Sequence, residues 1–241
     1  MNPHHSQDYL PQLSIDCVIF GYQDKRLKVL VPKLNFEGDF WALPGGFVFQ
    51  HEGIDEAAYR ILQERTGLRN VFLEQFKVFG SAQRSGKESF GRLLELNPEK
   101  FQREPLNQLE FDWLTQRFVS IGYYALVDIN HVVPQKTELD EHITWYDIRQ
   151  LPDMIIDHNE QVQDALEILR VRWDHELVGF NLLPEKFTMK ELQHLYEAVY
   201  DRPFRRNNFQ KKMLNLGVLE RLEKKYTGAS NKAPYLYRFK Q

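Results

Sequence analysis

The chain has 241 residues, 42% of them hydrophobic, which is enough for one large or two small domains with a core in each. Cys17 is the single cysteine, so the sequence excludes an intramolecular disulfide and a cysteine-based zinc site. No apolar run reaches the length of a membrane span and the first ten residues do not resemble a signal peptide, so we expect a cytoplasmic protein without membrane contacts.

A β-hairpin is predicted near the start of the chain. Residues 13–21 and 27–33 are β-branched and apolar, and the turn between them contains Gly21, Asp24 and Lys25. Residues 41–46 follow, with the sequence WALPGG, and their paired glycines permit positive φ and a close approach of the backbone to a ligand.

An amphipathic helix is predicted over residues 54–65. Gly67 ends it in the usual C-terminal manner, and Ile61 belongs to its buried stripe. The apolar positions at helical spacing are Ile54, Ala57, Ala58, Ile61 and Leu62.

Further strands are predicted at residues 71–80, 117–129 and 143–148. The intervening segment 81–116 is long for a loop in a compact domain, and such segments are usually functional or disordered. It contains FGRLLEL and LNQLEFDWL, which are apolar enough for short helices, so we expect an ordered insertion that covers a cleft or widens a subunit contact. Arg84, near its root, has two interpretations: a residue that reaches a ligand, or a solvated surface arginine.

A helix over residues 159–173 is expected to connect the body to the C-terminal segment. Asp157, His158 and Asn159 precede or begin it and could form a catalytic or metal cluster. A helix N-cap accounts for them better, because Asp and Asn favour that position and Glu160 opens the first turn.

The C-terminal segment is predicted to contain a helix, a turn, a cationic helix and a hairpin, which is the order of elements in a winged helix-turn-helix. Thr188 and Glu191 form a capping box before the first helix. Residues 1–174 hold 18 Lys and Arg against 27 Asp and Glu, a balance of −9, whereas residues 175–241 hold 13 against 7, a balance of +6. A basic segment on an acidic body indicates a polyanionic partner, although a solvated basic face is the alternative. The candidate DNA-binding residues are Arg205, Arg206, Asn207, Asn208, Gln210, Lys211 and Lys212 in the second helix and Lys224, Lys225 and Lys232 in the hairpin.

Residues 46–68, GFVFQHEGIDEAAYRILQERTGL, resemble a Nudix box. The box reads as Gly, five residues, Glu, seven residues, then a helix with Arg and three metal-binding glutamates, and the matching positions here are Gly46, Glu52, Arg60, Leu62, Glu64, Gly67 and Leu68. Ile61 and Arg65 replace two of the glutamates. Because positions 61, 64 and 65 share one helix face and Mg²⁺ requires oxygen ligands, we expect a Nudix fold without its hydrolase chemistry, with no metal, no cofactor and no catalytic residues.

The degenerate box followed by FTMKELQHLYEAVY and RNNFQKKML resembles the family of Nudix-related transcriptional regulators, and most closely its arabinose-repressor branch from Bacteroidetes. The resemblance implies an α+β protein: a Nudix mixed-sheet α/β/α sandwich followed by a winged helix. It implies a sensor at residues 1–157 with the insertion at 81–116, a linker helix at 158–174 and a DNA-binding domain at 175–241. It also implies a homodimer on double-stranded operator DNA, with a small-molecule effector.

 The effector is expected to be a sugar or nucleotide sugar such as arabinose, while other members of the family respond to ADP-ribose.

The effector is expected in a cleft between the strand that ends at Lys33, the 41–49 loop and the root of the insertion. Aromatic faces and cations there suit a sugar or a phosphate. The candidate effector-binding residues are Lys33, Trp41, Phe49, Glu64 and Arg84. Two other functions stay open at this point: a Nudix hydrolase acting on ADP-ribose or a related nucleoside diphosphate, and a protein-binding adaptor.

Overall fold

The computed structural model describes residues 8–69, 71–103, 113, 115–176, 182–225 and 233–240. Its larger part is built on one mixed sheet with helices on both faces. The strands are β1 (Tyr9–Gln23), β2 (Arg26–Leu34), β3 (Gly45–Phe49), β4 (Phe72–Phe79), β5 (Val119–Val127) and β6 (Asp140–Asp147). The helices of this part are α1 (Ile54–Thr66), α2 (Lys87–Leu96), α3 (Pro98–Arg103) and α4 (His158–Glu176).

The sheet is centred on β1, with strand order β4-β5-β1-β2-β6 and β3 paired to the first half of β1. The β1–β5 pair is parallel and the other pairs are antiparallel. The predicted β1–β2 hairpin is confirmed, and its turn places Asp24 and Lys25 at φ 52° and 61°. Strand β3 was not predicted, because a Pro-Gly-Gly sequence is typical of a loop, and it forms through its pairing with β1.

Side chains of β1 alternate between the two faces of the sheet, as the pleat of a strand requires. Ile15 and Cys17 pack on the side of α1, whereas Val18 and Phe20 pack on the side of α4, and all four are fully buried. The sheet is therefore the middle layer of an α/β/α sandwich, which confirms the predicted fold class.

Helix α1 buries the apolar stripe that its sequence predicts, with one exception. Ala57, Ala58, Ile61 and Leu62 are at most 1% exposed, but Ile54 is 38% exposed, since it lies in the first turn beyond the edge of the packed face. Gly67 ends the helix at φ 71°, a conformation that glycine adopts without strain.

The C-terminal part is a winged helix. Its elements are β7 (Phe187–Thr188), α5 (Met189–Tyr200), α6 (Arg206–Asn215), β8 (Leu219–Lys224) and β9 (Tyr235–Phe239), and the strands pair in the order β7-β9-β8. The predicted capping box of α5 is confirmed, with Glu191 N donating to Thr188 Oγ1 and Thr188 N donating to the Glu191 carboxylate. Strand β7 is only two residues long, which is too short for a sequence pattern to reveal.

One hydrophobic core runs from the sandwich into the winged helix. Val18 of the sheet, Leu166 and Trp173 of α4, and Tyr196 of α5 belong to the same buried cluster. Two hydrogen bonds also join α4 to α5. Arg170 Nε donates to the Val199 carbonyl at 2.8 Å, and Tyr200 Oη donates to the Arg170 carbonyl at 3.1 Å. Helix α4, expected as a connector, is thus also the second helical layer of the sandwich.

The insertion is helical in its first half. The FGRLLEL sequence lies within α2, as predicted, whereas LNQLEFDWL at residues 106–114 lies outside the described residues except for Trp113. Among the residues that the structure describes, no helix is both long and apolar enough to cross a membrane.

Candidate functional site

The first and middle positions of the Nudix box form a hydrogen-bonded network around Arg60. Arg60 donates to both carboxylate oxygens of Glu52, at 2.6 and 3.0 Å, and to the Phe47 carbonyl at 2.8 Å. Burial of Glu52 opposes its ionisation, but hydrogen bonds from Arg60 and from Phe49 N outweigh burial and lower its pKa. Glu52 therefore stays ionised and holds the loop before α1 against the helix.

The three helix positions that carry metal-binding glutamates in Nudix hydrolases do not converge on a metal here. Ile61 is 1% exposed and packs against Gly46, where an added Cβ would lie 3.1 Å from Ile61 Cδ1. The Glu64 side chain is 55% exposed and lies 3.4 Å from Arg60. Arg65 is buried and its Nη1 lies 2.5 Å from Asp140 Oδ2, so the third position holds an internal ion pair. An aliphatic side chain and a guanidinium cannot serve as ligands to Mg²⁺, so this face does not fit the metal of the hydrolases.

Arg84 is buried at the root of the insertion, so the interpretation as a solvated surface arginine is wrong. Its side chain is 5% exposed, and Nε donates to Asp157 Oδ2 at 2.6 Å. Nη1 donates to the Phe118 carbonyl at 3.1 Å, and Nη2 lies 3.4 Å from Asp16 Oδ2. Two carboxylates compensate the buried guanidinium, which is the condition for keeping such a charge inside a protein.

Asp157 and His158 take part in the same buried cluster. The main-chain oxygen of Asp157 accepts from Gln161 N, as expected at the start of a helix, but its carboxylate accepts from the Arg84 and Gln161 side chains instead of capping the backbone. Nδ1 of His158 accepts from Leu43 N at 2.9 Å. Burial lowers the pKa of His158 against the opposing effect of the Asp16 and Asp157 carboxylates, so the imidazole is neutral near pH 7.

Only one residue of this cluster could have been suspected from the sequence to be buried. Asp16 is an acidic residue inside an apolar strand, and such a residue implies a buried partner. Its partners come from distant parts of the chain: Ser120 Oγ donates to Asp16 Oδ2 at 2.5 Å, and Gln161 Nε2 donates to the same oxygen at 2.9 Å. Within the described ranges, no group of three or more His, Cys, Asp or Glu residues is arranged to hold a metal ion.

The predicted effector residues lie in three local settings. Lys33 Nζ lies 3.0 Å from Glu141 and 5.8 Å from the centre of the Trp41 ring, near the β2–β6 edge. The Phe49 ring lies 4.5 Å from the Arg60 guanidinium, which also contacts Glu64. Arg84 belongs to the buried cluster. Their role in binding an effector stays a prediction.

A cleft of about 580 Å³ opens beside Arg84, between the two ends of the insertion. One wall comes from residues 82–87 and the other from residues 115–117. Lys87 and Arg117 at its mouth were not among the predicted site residues, because neither belongs to a motif.

Helix α6 separates buried apolar residues from exposed polar ones. Phe209 and Met213, four residues apart, are 2% and 0% exposed, and the Phe209 ring lies 5.0 Å from the Tyr196 ring. The outward face contains most of the predicted DNA-binding residues, with Gln210 half-buried. The exposed ones are Arg205, Arg206, Asn207, Asn208, Lys211 and Lys212.

Arg205 and Arg206 place positive charge at the N-terminal end of α6, and Lys211 and Lys212 add charge in its second half. Its first turn contains no acidic residue, and in the part of the chain that the structure describes Arg205, Arg206 and Lys211 form no ion pair. Cations at this end are disfavoured by the helix dipole, so their presence suits an external anion. In the hairpin, Lys225 lies 3.2 Å from Glu191 and Lys224 lies 5.5 Å from the Tyr235 ring, whereas Lys232 lies outside the described residues.

Comparison with known proteins finds two matching family models. Residues 10–166 match the NUDIX domain, and residues 179–239 match the NrtR DNA-binding winged helix domain. A curated relative, the ADPR responsive transcriptional repressor NtrR of Acinetobacter baylyi, is 27% identical over 243 residues, covering 98% of this chain and 85% of the relative.

Two solved structures share the fold over nearly the whole chain. Shewanella oneidensis NrtR, which has also been crystallised with a 27mer DNA, superposes with a TM-score of 0.69 at 24% identity, covering 95% of this chain and 94% of that one. A MutT/nudix family protein from Enterococcus faecalis gives a TM-score of 0.67 at 19% identity, covering 100% and 89%. The finer resemblance to the arabinose-repressor branch is not confirmed by these relatives. The chain belongs to the Nudix family, with its Nudix domain followed by a winged helix domain.

Proposed function

We propose that the protein is a DNA-binding transcriptional repressor whose Nudix domain binds ADP-ribose as its effector. The proposal replaces arabinose with ADP-ribose, because the curated relative that matches 98% of the chain is an ADPR responsive repressor. It keeps the homodimer on double-stranded operator DNA as part of the same proposal.

The observation that carries the DNA-binding role is the exposed basic end of α6. In a helix-turn-helix the N-terminal residues of the second helix contact base edges in the major groove. Arg206 and Asn208 are exposed at that end, while Phe209 and Met213 fix the opposite face in the core. Arg pairs with guanine and Asn with adenine through two hydrogen bonds each, so this end has the chemistry for reading sequence.

The altered metal face supports a sensor in preference to a hydrolase. Ile61 is buried and Arg65 is bound to Asp140, so only Glu64 remains of the three glutamates. A ligand with a diphosphate can bind such a domain without the metal-activated water that hydrolysis uses. We therefore expect ADP-ribose to be bound and released intact.

The test is a gel-shift titration with promoter DNA from the protein's own locus and a scrambled duplex as control, with and without ADP-ribose. We expect preference for the promoter DNA and a shift in its apparent Kd when ADP-ribose is added. Equal binding to both duplexes would overturn the role as a sequence-specific repressor.

A second measurement separates sensing from hydrolysis. The protein is incubated with ADP-ribose and Mg²⁺ or Mn²⁺, and AMP and ribose 5-phosphate are quantified by chromatography. Turnover above about 1 s⁻¹, an ordinary rate for an enzyme, together with its loss in Glu64→Gln, would show a hydrolase instead.

A further inference from the structure

We infer that the cleft at the root of the insertion is the subsite for the diphosphate of the effector, held by Lys87 and Arg117 instead of by a metal on the Nudix helix. The inference rests on the proposed function, since it names where the charged part of the proposed effector binds. The ligand class is a nucleoside diphosphate, and the cleft of about 580 Å³ is within the usual range for small-molecule sites.

The lining of the cleft has the charge of an anion site. Among the described residues that line it, three are cationic and none is acidic: Arg84, Lys87 and Arg117 line it together with Ala82, Ser85, Thr115 and Gln116. The surrounding body is acidic, with a balance of −9 over residues 1–174. A cleft with the opposite sign from its domain concentrates anions from solution.

The two cations at the mouth are available to a ligand. Lys87 and Arg117 are exposed, and among the described residues neither forms an ion pair. Arg117 is held in place because its Nη2 donates to the Gly80 carbonyl at 2.8 Å. A guanidinium and an ammonium on opposite walls can each bind one phosphate of a diphosphate.

The floor of the cleft is fixed in advance of binding. Arg84 is buried and oriented by Asp157 and by the Phe118 carbonyl. Helix α2 begins at Lys87 beside it without a side-chain cap, so the positive end of its dipole adds to the charges of Lys87 and Arg117. The dipole alone would not define a site, but the buried Arg84 and the two mouth cations face the same space.

Aromatic side chains next to the cleft suit the nucleoside part of the ligand. The Phe118 ring lies 5.1 Å from Trp113, and Trp113 lies 4.6 Å from Phe47. The half-buried Trp113 ring also stacks on Tyr9 at 6.0 Å. Phe118 is adjacent to Arg117 in the sequence but is buried, so the half-buried Trp113 is the ring of this group on which a base could stack.

The experiment is calorimetric titration of the full-length protein with ADP-ribose and, separately, with inorganic pyrophosphate. We compare wild type with Lys87→Ala, Arg117→Ala and the double variant, and use Lys136→Ala as the matched control, because Lys136 is an exposed cation of the same domain that does not line the cleft. Each loss of a charged hydrogen bond should weaken ADP-ribose binding about ten-fold or more. Lys87→Arg should restore most of the affinity, and Lys136→Ala should change it less than about two-fold.

The outcomes separate this inference from the proposed function. If wild type binds ADP-ribose, pyrophosphate competes, and both alanine variants weaken binding, the subsite is supported. If wild type binds ADP-ribose but the variants bind it equally well, or pyrophosphate does not compete, the subsite is overturned and the repressor proposal stands. If wild type binds pyrophosphate through Lys87 and Arg117 but does not bind ADP-ribose, the anion site stands and the proposed effector is wrong.

Discussion

Charged residues serve different purposes in the two parts of the molecule. In the Nudix domain two arginines are buried and paired, Arg65 with Asp140 and Arg84 with Asp157. In the winged helix two others are exposed at one end of α6, where Arg205 and Arg206 extend into solvent. Buried pairs are tied to the fold, since removing one partner leaves an uncompensated charge, whereas exposed cations are available to a partner molecule.

The comparison predicts that substitutions in the two regions change different measured quantities. Replacing a buried partner should lower the free energy of unfolding. Replacing an exposed cation of α6 should lower the affinity for DNA and leave unfolding unchanged.

The largest effect is expected for Asp140→Ala. The substitution leaves the Arg65 guanidinium buried without its carboxylate and removes the acceptor of Thr137 N, so stability should fall by about 3–5 kcal/mol. Urea denaturation followed by circular dichroism measures the loss. Arg238→Ala is the control, because it breaks an exposed pair with Glu220 and should barely move the midpoint. A loss no greater than that of the control would show that the buried pair contributes nothing to the fold.

The next effect is expected in DNA binding by α6. Asn208→Ala should weaken binding to the operator by about 1–3 kcal/mol and relax preference at one base pair. Asn215→Ala is the matched control, since it removes the same side chain from the exposed C-terminal end of the helix. Gel-shift titration against operator and scrambled duplexes measures both. Equal losses for the two variants would mean that the N-terminal end of α6 does not read the sequence.

A smaller effect is expected for Thr188→Ala at the start of α5. The substitution removes the acceptor of Glu191 N, and losing an N-cap costs about 1 kcal/mol of stability. Thr188→Ser keeps the hydroxyl and should recover most of the loss in the same denaturation experiment. If the serine variant is as unstable as the alanine variant, packing of the threonine methyl group and not the cap is responsible.

The smallest effect is expected for Lys225→Ala. Lys225 Nζ lies 3.2 Å from the Glu191 carboxylate, which partly neutralises its charge. Its attraction to a DNA phosphate is therefore weaker than that of an unpaired lysine. Binding to all duplexes should weaken alike, and the slope of log K against log salt should fall by no more than about one unit. Titrations at several salt concentrations give the slope, and Lys136→Ala shows the effect of a cation remote from the hairpin. A change restricted to one DNA sequence would instead assign Lys225 to base recognition.

Local patterns were predictable from the sequence, and long-range partners were not. The stripe of α1, the Thr188–Glu191 box and the β1–β2 hairpin depend on neighbours a few residues apart, and the structure contains all three. The Arg84–Asp157 pair joins residues 73 positions apart, and the Arg65–Asp140 pair joins residues 75 positions apart. No spacing rule connects such residues, so Arg84 could be predicted as important but not as buried.

The continuous core between the sheet, α4 and α5 has a consequence for the spacing of the half-sites in the proposed operator. Trp173 and Tyr196 pack in the same cluster as the sheet, so shared buried side chains join the winged helix to the Nudix domain. In a dimer joined through the Nudix domains, the distance between the two copies of α6 is then set by the Nudix surfaces. The winged helix would then determine which bases are recognised, and the contact between the Nudix domains would determine the spacing of the two half-sites.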